Sequence, residues 1–138
     1  MTNPRILLVE DSRDDAELVR LADQSLHLHS ELVVAEDGEA ALDYLFRAEA
    51  DPPAVVILDL RLPGMGGLEV LRTMRSRPQT RRIPVVILTG SERDEDVLAG
   101  YDLGANSFVR KPHEFEAFRA LITHLEHYWV MTNLRPPV

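Results

Sequence analysis

The chain has 138 residues, with 15 Lys plus Arg against 23 Asp plus Glu, a formal net charge of −8 and no cysteine. That length suits one domain burying roughly two-thirds of its unfolded surface, and the acidic balance lacks the basic field of a nucleic-acid binder. Disulfides and thiolate metal sites are excluded, and apolar runs of four or five residues fall far short of the ~20 that span a bilayer, so the composition points to a soluble cytoplasmic protein.

In chain order, strand-like and helix-like segments alternate five times. Arg5 to Val9 reads as a strand, and Glu10-Asp11 follows before any signal-peptide core could form. Asp14 to Gln24 is helical, with Ser12 as its N-cap. Leu32 to Ala35 is the second strand, leading through Asp37-Gly38 into a helix over Glu39 to Ala48, where Ala41, Leu42 and Leu45 share a face. Val55 to Leu58 leads through Leu62-Pro63-Gly64-Met65-Gly66-Gly67 into a helix over Leu68 to Arg75. Val85 to Leu88 precedes a helix over Asp94 to Leu103, and Ser107 to Val109 precedes a long helix over Glu114 to Trp129. Such alternation predicts an α/β fold, a doubly wound parallel sheet with helices on both faces. The first, third and fourth strands are unbroken aliphatic runs, as strands covered on both faces must be, whereas the second and fifth carry polar residues and belong at the edges. The flavodoxin-like order 2-1-3-4-5 satisfies this and sets the carboxyl ends of strands 1 and 3 side by side.

Ligand crevices of open parallel sheets lie outside those carboxyl ends. There the sequence supplies Glu10 and Asp11, then Asp59, Thr89 and Lys111. Clustered carboxylates repel unless a cation bridges them, and oxygen-only ligands suit Mg²⁺. Asp59 is then a candidate nucleophile that forms an acyl phosphate, with Thr89 and Lys111 steadying the phosphoryl oxygens.

In order and spacing, Glu10-Asp11, Asp59 with Leu62-Pro63-Gly64-Met65-Gly66-Gly67, Thr89 and Lys111-Pro112 resemble the receiver domain of two-component response regulators, from about Arg5 to Leu125. The resemblance implies that Asp59 accepts a phosphoryl group from a sensor histidine kinase. It also implies that Glu10, Asp11, Asp59 and the backbone carbonyl of Arg61 hold Mg²⁺, that Lys111-Pro112 is a cis peptide, and that Thr89 and Phe108 form a coupled switch. The block Tyr101 to Phe108 and the aromatic C-terminal helix resemble the single-domain regulators paired with phytochrome kinases, making a bacteriophytochrome the finer expectation for the partner. The expected organisation is one receiver domain over 1–138, with 126–138 as helix end and tail and no output domain. It is not an enzyme in the ordinary sense, since it assists only its own phosphorylation and dephosphorylation.

Each residue also has a plainer reading. An acid at a strand end is often an N-cap or a solvated charge, and Thr89 could cap the segment behind it; it is their joint placement that favours the site. His27, His29, His113, His124 and His127 read as solvated surface, and the stripe Phe115, Phe118, Ile122, Leu125, Trp129 as core and interface. A flavodoxin would follow its first strand with a hydroxyl-rich phosphate loop, whereas Asp11-Ser12-Arg13-Asp14-Asp15 is acidic; an aspartyl phosphatase would carry an acid where Arg61 stands. Within signalling, the alternative is a phosphate shuttle in a multistep phosphorelay. The apolar end, Tyr128-Trp129-Val130-Met131 with Leu134 and Pro136-Pro137-Val138, predicts homodimerisation through the fourth and fifth helices and the fifth strand.

Overall fold

The computed structural model describes residues 4–26, 30–48 and 51–137, with the side chains of 25 and 26 set aside. His27 and His29 therefore lie outside the described residues. The elements are β1 (Arg5–Val9), α1 (Arg13–Leu26), β2 (Glu31–Ala35), α2 (Gly38–Arg47), β3 (Val55–Leu58), α3 (Gly67–Ser76), β4 (Val85–Thr89), α4 (Asp94–Asp102), β5 (Ser107–Arg110) and α5 (Phe115–His127). A π-helical turn over Tyr128–Thr132 extends α5.

The five strands pair in parallel in the order β2-β1-β3-β4-β5. Side chains alternate across a strand, and the alternation divides the core in two. Leu7, Val9, Val56, Leu58, Val85 and Ile87 pack on α2 and α3 through Ala41, Leu42, Leu45, Val70, Leu71 and Met74. On the opposite face, Ile6, Leu8, Val55, Ile57, Val86 and Leu88 meet Val19 and Ala22 of α1 and Phe118, Ile122 and Leu125 of α5. The three central strands are buried at every position from Ile6 to Val9, Val55 to Leu58 and Val85 to Thr89, while β2 and β5 are only partly buried, as edge strands should be.

Of the predicted aromatic stripe, Phe118, Ile122, Leu125 and Trp129 are buried but Phe115 is 48% exposed. Phe115 is the first residue of α5, at the end where the helix leaves the strand-end loops, so it has less protein above it to pack on. Trp129 closes the α1/α5 face of the core. Beyond it, Val130 and the tail residues Asn133 to Pro137 line an open groove of about 800 Å³ with Asp51 to Ala54, Pro78, Gln79 and Arg82 to Pro84, at the amino ends of β3 and β4.

Two side chains inside this framework were not anticipated. Arg75, at the end of α3, donates Nε to the Gly104 carbonyl (2.9 Å), Nη1 to the carbonyls of Arg81 (2.9 Å) and Ile83 (2.8 Å), and Nη2 to Asn106 Oδ1 (3.0 Å). Asn106 Oδ1 also accepts from the Val85 backbone N–H at 2.8 Å. One guanidinium thus joins α3, the loop into β4 and the turn into β5, and its burial lowers its pKa. Glu126, on the buried side of α5, has both carboxylate oxygens buried and close to Asp23 of α1. Burial, then the charge of Asp23 on α1, pushes its pKa up to about 9, which keeps it protonated at neutral pH.

Candidate functional site

Backbone hydrogen bonds carry the sheet past the last strand residues and set the site's spacing. Glu10 N–H donates to the Ala35 carbonyl, Asp59 N–H to the Val9 carbonyl, and Lys111 N–H to the Thr89 carbonyl, at 2.8 to 3.1 Å. Glu10, Asp59 and Lys111 therefore stand one step beyond β1, β3 and β5, Asp11 two steps beyond β1, and Thr89 at the end of β4.

The loop after β3 depends on a close approach. A Cβ at Gly67 would lie 2.2 Å from the Asp59 carbonyl oxygen, so only glycine lets α3 begin directly behind the aspartate. Asp59 Oδ1 then accepts the Arg61 backbone N–H at 3.1 Å, orienting the carboxylate from below. The Arg61 side chain is exposed.

Ligand oxygens of Glu10, Asp11 and Asp59 all lie within 4.8 Å of one another. Glu10 and Asp59 are buried, whereas Asp11 is exposed. The Lys111 ammonium sits among them: Nζ is 2.6 Å from Glu10 Oε2 and 3.0 Å from Asp59 Oδ2. A third acceptor, Asp15 Oδ2 at 2.9 Å, was not anticipated. Its signal in the sequence is the spacing Ser12-Arg13-Asp14-Asp15, which reads as a capping box and so masks any other role.

Burial pushes the Glu10 carboxyl up to about 7, opposed by its hydrogen bonds from Lys111 and Ser12 and aided by the Asp59 charge. For Lys111 burial favours the neutral amine, but the hydrogen bonds it donates to Glu10, Asp15 and Asp59 outweigh it and hold the pKa above its ordinary value. The site thus keeps a permanent cation against a set of acids that are costly to leave charged together. A hard, oxygen-only donor set of three carboxylates with an exposed member suits a divalent cation.

Thr89 is fully buried at the end of β4, and its Oγ1 is 3.5 Å from the Ser91 N–H, a long contact that leaves the hydroxyl weakly held. Phe108 pairs in register with Ile87 of β4 and is half-buried. A Cβ at Gly100 would stand 3.0 Å from Phe108 Cδ2, so α4 presents a bare backbone to the ring.

The Lys111-Pro112 bond is trans, since none of the described peptide bonds is cis. This corrects the expected cis isomer. Trans is intrinsically preferred at an X-Pro bond by ~0.5–1 kcal/mol, and Lys111 reaches its three acceptors from that backbone, so the contacts present do not call for the other isomer. His113, His124 and His127 are exposed, as expected.

The family model for the response regulator receiver domain matches residues 6–123. Response regulator Rcp1 of Synechocystis sp. is 36% identical over 135 residues, which cover 95% of this chain and 92% of that one. The crystal structure of its Mn²⁺-bound form aligns with a TM-score of 0.90, at 34% identity, over 97% of this chain and 99% of the other. The phosphorylated cyanobacterial phytochrome response regulator RcpA gives a TM-score of 0.92, at 33% identity, over 98% and 99% of the two chains. The bacteriophytochrome response regulator RtBRR is 47% identical, with a TM-score of 0.73, over 98% of this chain and 85% of its own.

Proposed function

Because the chain belongs to the response regulator receiver domain family and is a phosphoacceptor of two-component signalling, we propose that Asp59 is the residue phosphorylated, with Lys111 and Thr89 as its catalytic partners. The observation that carries this reading is Lys111 Nζ 3.0 Å from Asp59 Oδ2, inside the cluster of Glu10, Asp11 and Asp59. An Asp59 oxygen bonds to phosphorus as the P–N bond of a phosphohistidine breaks; the electron pair stays on the imidazole nitrogen, which takes up a proton from water. Lys111 then donates to one phosphoryl oxygen and the Thr89 hydroxyl to another, which is where charge must be matched in phosphoryl transfer.

Glu10, Asp11, Asp59 and the Arg61 carbonyl would hold a Mg²⁺ ion, which would supply neutralising charge for the phosphoryl oxygens. The Mn²⁺ form of Rcp1 supports a divalent ion at such a site. The phosphodonor is a sensor histidine kinase of the phytochrome type, supported by the phytochrome and bacteriophytochrome regulators among its relatives. Among the described residues no helix is long and apolar enough to cross a membrane. The same reading places the protein in the cytoplasm and pairs it with a second copy through α4, β5 and α5, supported by the exposed Leu98, Tyr101 and Phe115.

Intact mass after incubation with Mg²⁺ and acetyl phosphate tests the assignment. The parent gains one phosphoryl group, Asp59→Asn gains none, and Asp11→Ala gains it only at much higher Mg²⁺. Normal phosphorylation of Asp59→Asn rejects the site.

A further inference from the structure

An ammonium has three N–H donors, and those of Lys111 face three carboxylates: Glu10 at 2.6 Å, Asp15 at 2.9 Å and Asp59 at 3.0 Å. No donor is left over for an incoming phosphoryl oxygen, so transfer requires Lys111 to exchange a partner. The three partners are not equivalent. Glu10 and Asp59 also belong to the cluster able to hold a cation, with Asp11; Asp15 does not.

The turn into α1 shows why Asp15 is free for this contact. In a capping box the acid at the third helical position reaches back to the N–H of the cap residue. Here the Ser12 side chain plays its half, accepting the Asp15 N–H at 3.2 Å. The other half is taken over by Glu10, whose Oε1 accepts the Ser12 N–H at 3.0 Å. Relieved of the capping contact, the Asp15 carboxylate turns to Lys111 instead, across 96 positions of sequence.

We propose that Asp15 is a positioning residue for phosphoryl transfer: its carboxylate retains the Lys111 ammonium beside Asp59 after a divalent cation has drawn Glu10 and Asp59 to itself. The inference rests on the role given to Lys111 above. Asp15 touches neither the phosphoryl group nor the cation. It fixes the origin from which Lys111 reaches, leaving one N–H on Asp15 while the donors released by Glu10 and Asp59 turn to phosphoryl oxygen. Pre-placing a charged donor in this way contributes through orientation, without adding a new contact to the reacting atoms.

The test measures phosphorylation by acetyl phosphate against Mg²⁺ concentration in the full chain, for the parent, Asp15→Asn, Lys111→Ala and the double variant. Asp15→Asn is expected to lower the maximal rate roughly tenfold, the scale of one charge-assisted hydrogen bond. The Mg²⁺ concentration at half-maximal rate should stay within about twofold, because Asp15 is outside the cation cluster. In the Lys111→Ala background the same substitution should have no further effect, the non-additivity expected of residues acting through one contact. A second readout needs no turnover: the ¹⁵N-detected Lys111 ammonium signal in the Mg²⁺-loaded protein should be protected in the parent and lost to exchange in Asp15→Asn. An unchanged rate in Asp15→Asn, or an equal loss in both backgrounds, overturns the positioning role while the site assignment stands. Normal phosphorylation of Lys111→Ala overturns the assignment of Lys111 itself, and the role of Asp15 with it.

Discussion

Thr89 and Phe108 stand on adjacent strands two positions out of register, Phe108 opposite Ile87 and Thr89 opposite Arg110, one fully buried with a weakly held hydroxyl and the other half-buried against a bare stretch of α4. A phosphoryl group can shift this pair only by binding one arrangement better than the other. In the proposed switch the Thr89 hydroxyl would supply that difference, by donating to a phosphoryl oxygen and vacating space for the ring. Thr89→Ala is therefore expected to accept phosphate yet leave Phe108 in place. Amide spectra around Phe108 decide it: an equal response of Thr89→Ala and the parent to a phosphoryl mimic removes the coupling. The candidate residues were readable from sequence because strand ends are fixed by where the aliphatic runs stop, and a parallel sheet then brings those ends together. Asp15 was not, because the choice between capping its helix and holding Lys111 depends on Glu10 taking the competing hydrogen bond, a contact sequence spacing does not specify. The Lys111-Pro112 isomer was misjudged for a related reason. Both isomers are compatible with the same two residues, and only the surrounding contacts select one.

At the scale of elements, the three central strands were legible because burial on both faces leaves no place for a polar residue, and the edges were legible by contrast. The α1–α5 contact was less so. Glu126 lies four residues after Ile122 and three before Trp129, in line with buried positions of α5, and faces Asp23 of α1. Its folded pKa of about 9 stands above the ordinary value of 4.5, so the folded state keeps a proton that the unfolded state releases. The stabilisation is fully present below the unfolded value and declines as pH rises toward the folded one, by on the order of 1 kcal/mol per pH unit. Glu126→Gln removes that slope. In urea unfolding, the parent should lose stability relative to the variant between pH 6 and pH 8. A constant difference between the two proteins over that range would mean that the carboxyl is not held neutral.

At the scale of the whole molecule, α4 with the start of α5 offers an exposed apolar surface. Leu98 is 63% exposed and Tyr101 51%, one turn apart on α4, and Phe115 opens α5. A self-complementary pair of such patches is the simplest way to cover them. Leu98→Glu with Tyr101→Glu should turn a micromolar dimer into a monomer by light scattering while leaving phosphorylation intact; a parent that is already monomeric, with or without phosphate, rejects the interface. Truncation of the tail is a poorer test of this interface. Removing residues after Glu126 would delete Trp129, whose loss from the core would cost about 3–5 kcal/mol, so a cut after Thr132 separates the tail from the fold.

Arg75 gives β5 unequal ends. The strand enters beside Asn106, which is tied to Val85 through both its backbone and its side chain and to α3 through the guanidinium. It leaves through Arg110 and Lys111 at an exposed sheet edge, where the backbone is held to Thr89. Both ends of the strand are therefore held, but by unlike partners: a guanidinium at the start and, at Lys111, the carboxylates around its ammonium. Its amides should report two different processes, the Asn106 amide an opening governed by Arg75 and the Lys111 amide an opening governed by the acids of the site. Arg75→Ala should speed exchange at Asn106 and leave Lys111 as it was, as hydrogen exchange followed residue by residue would show.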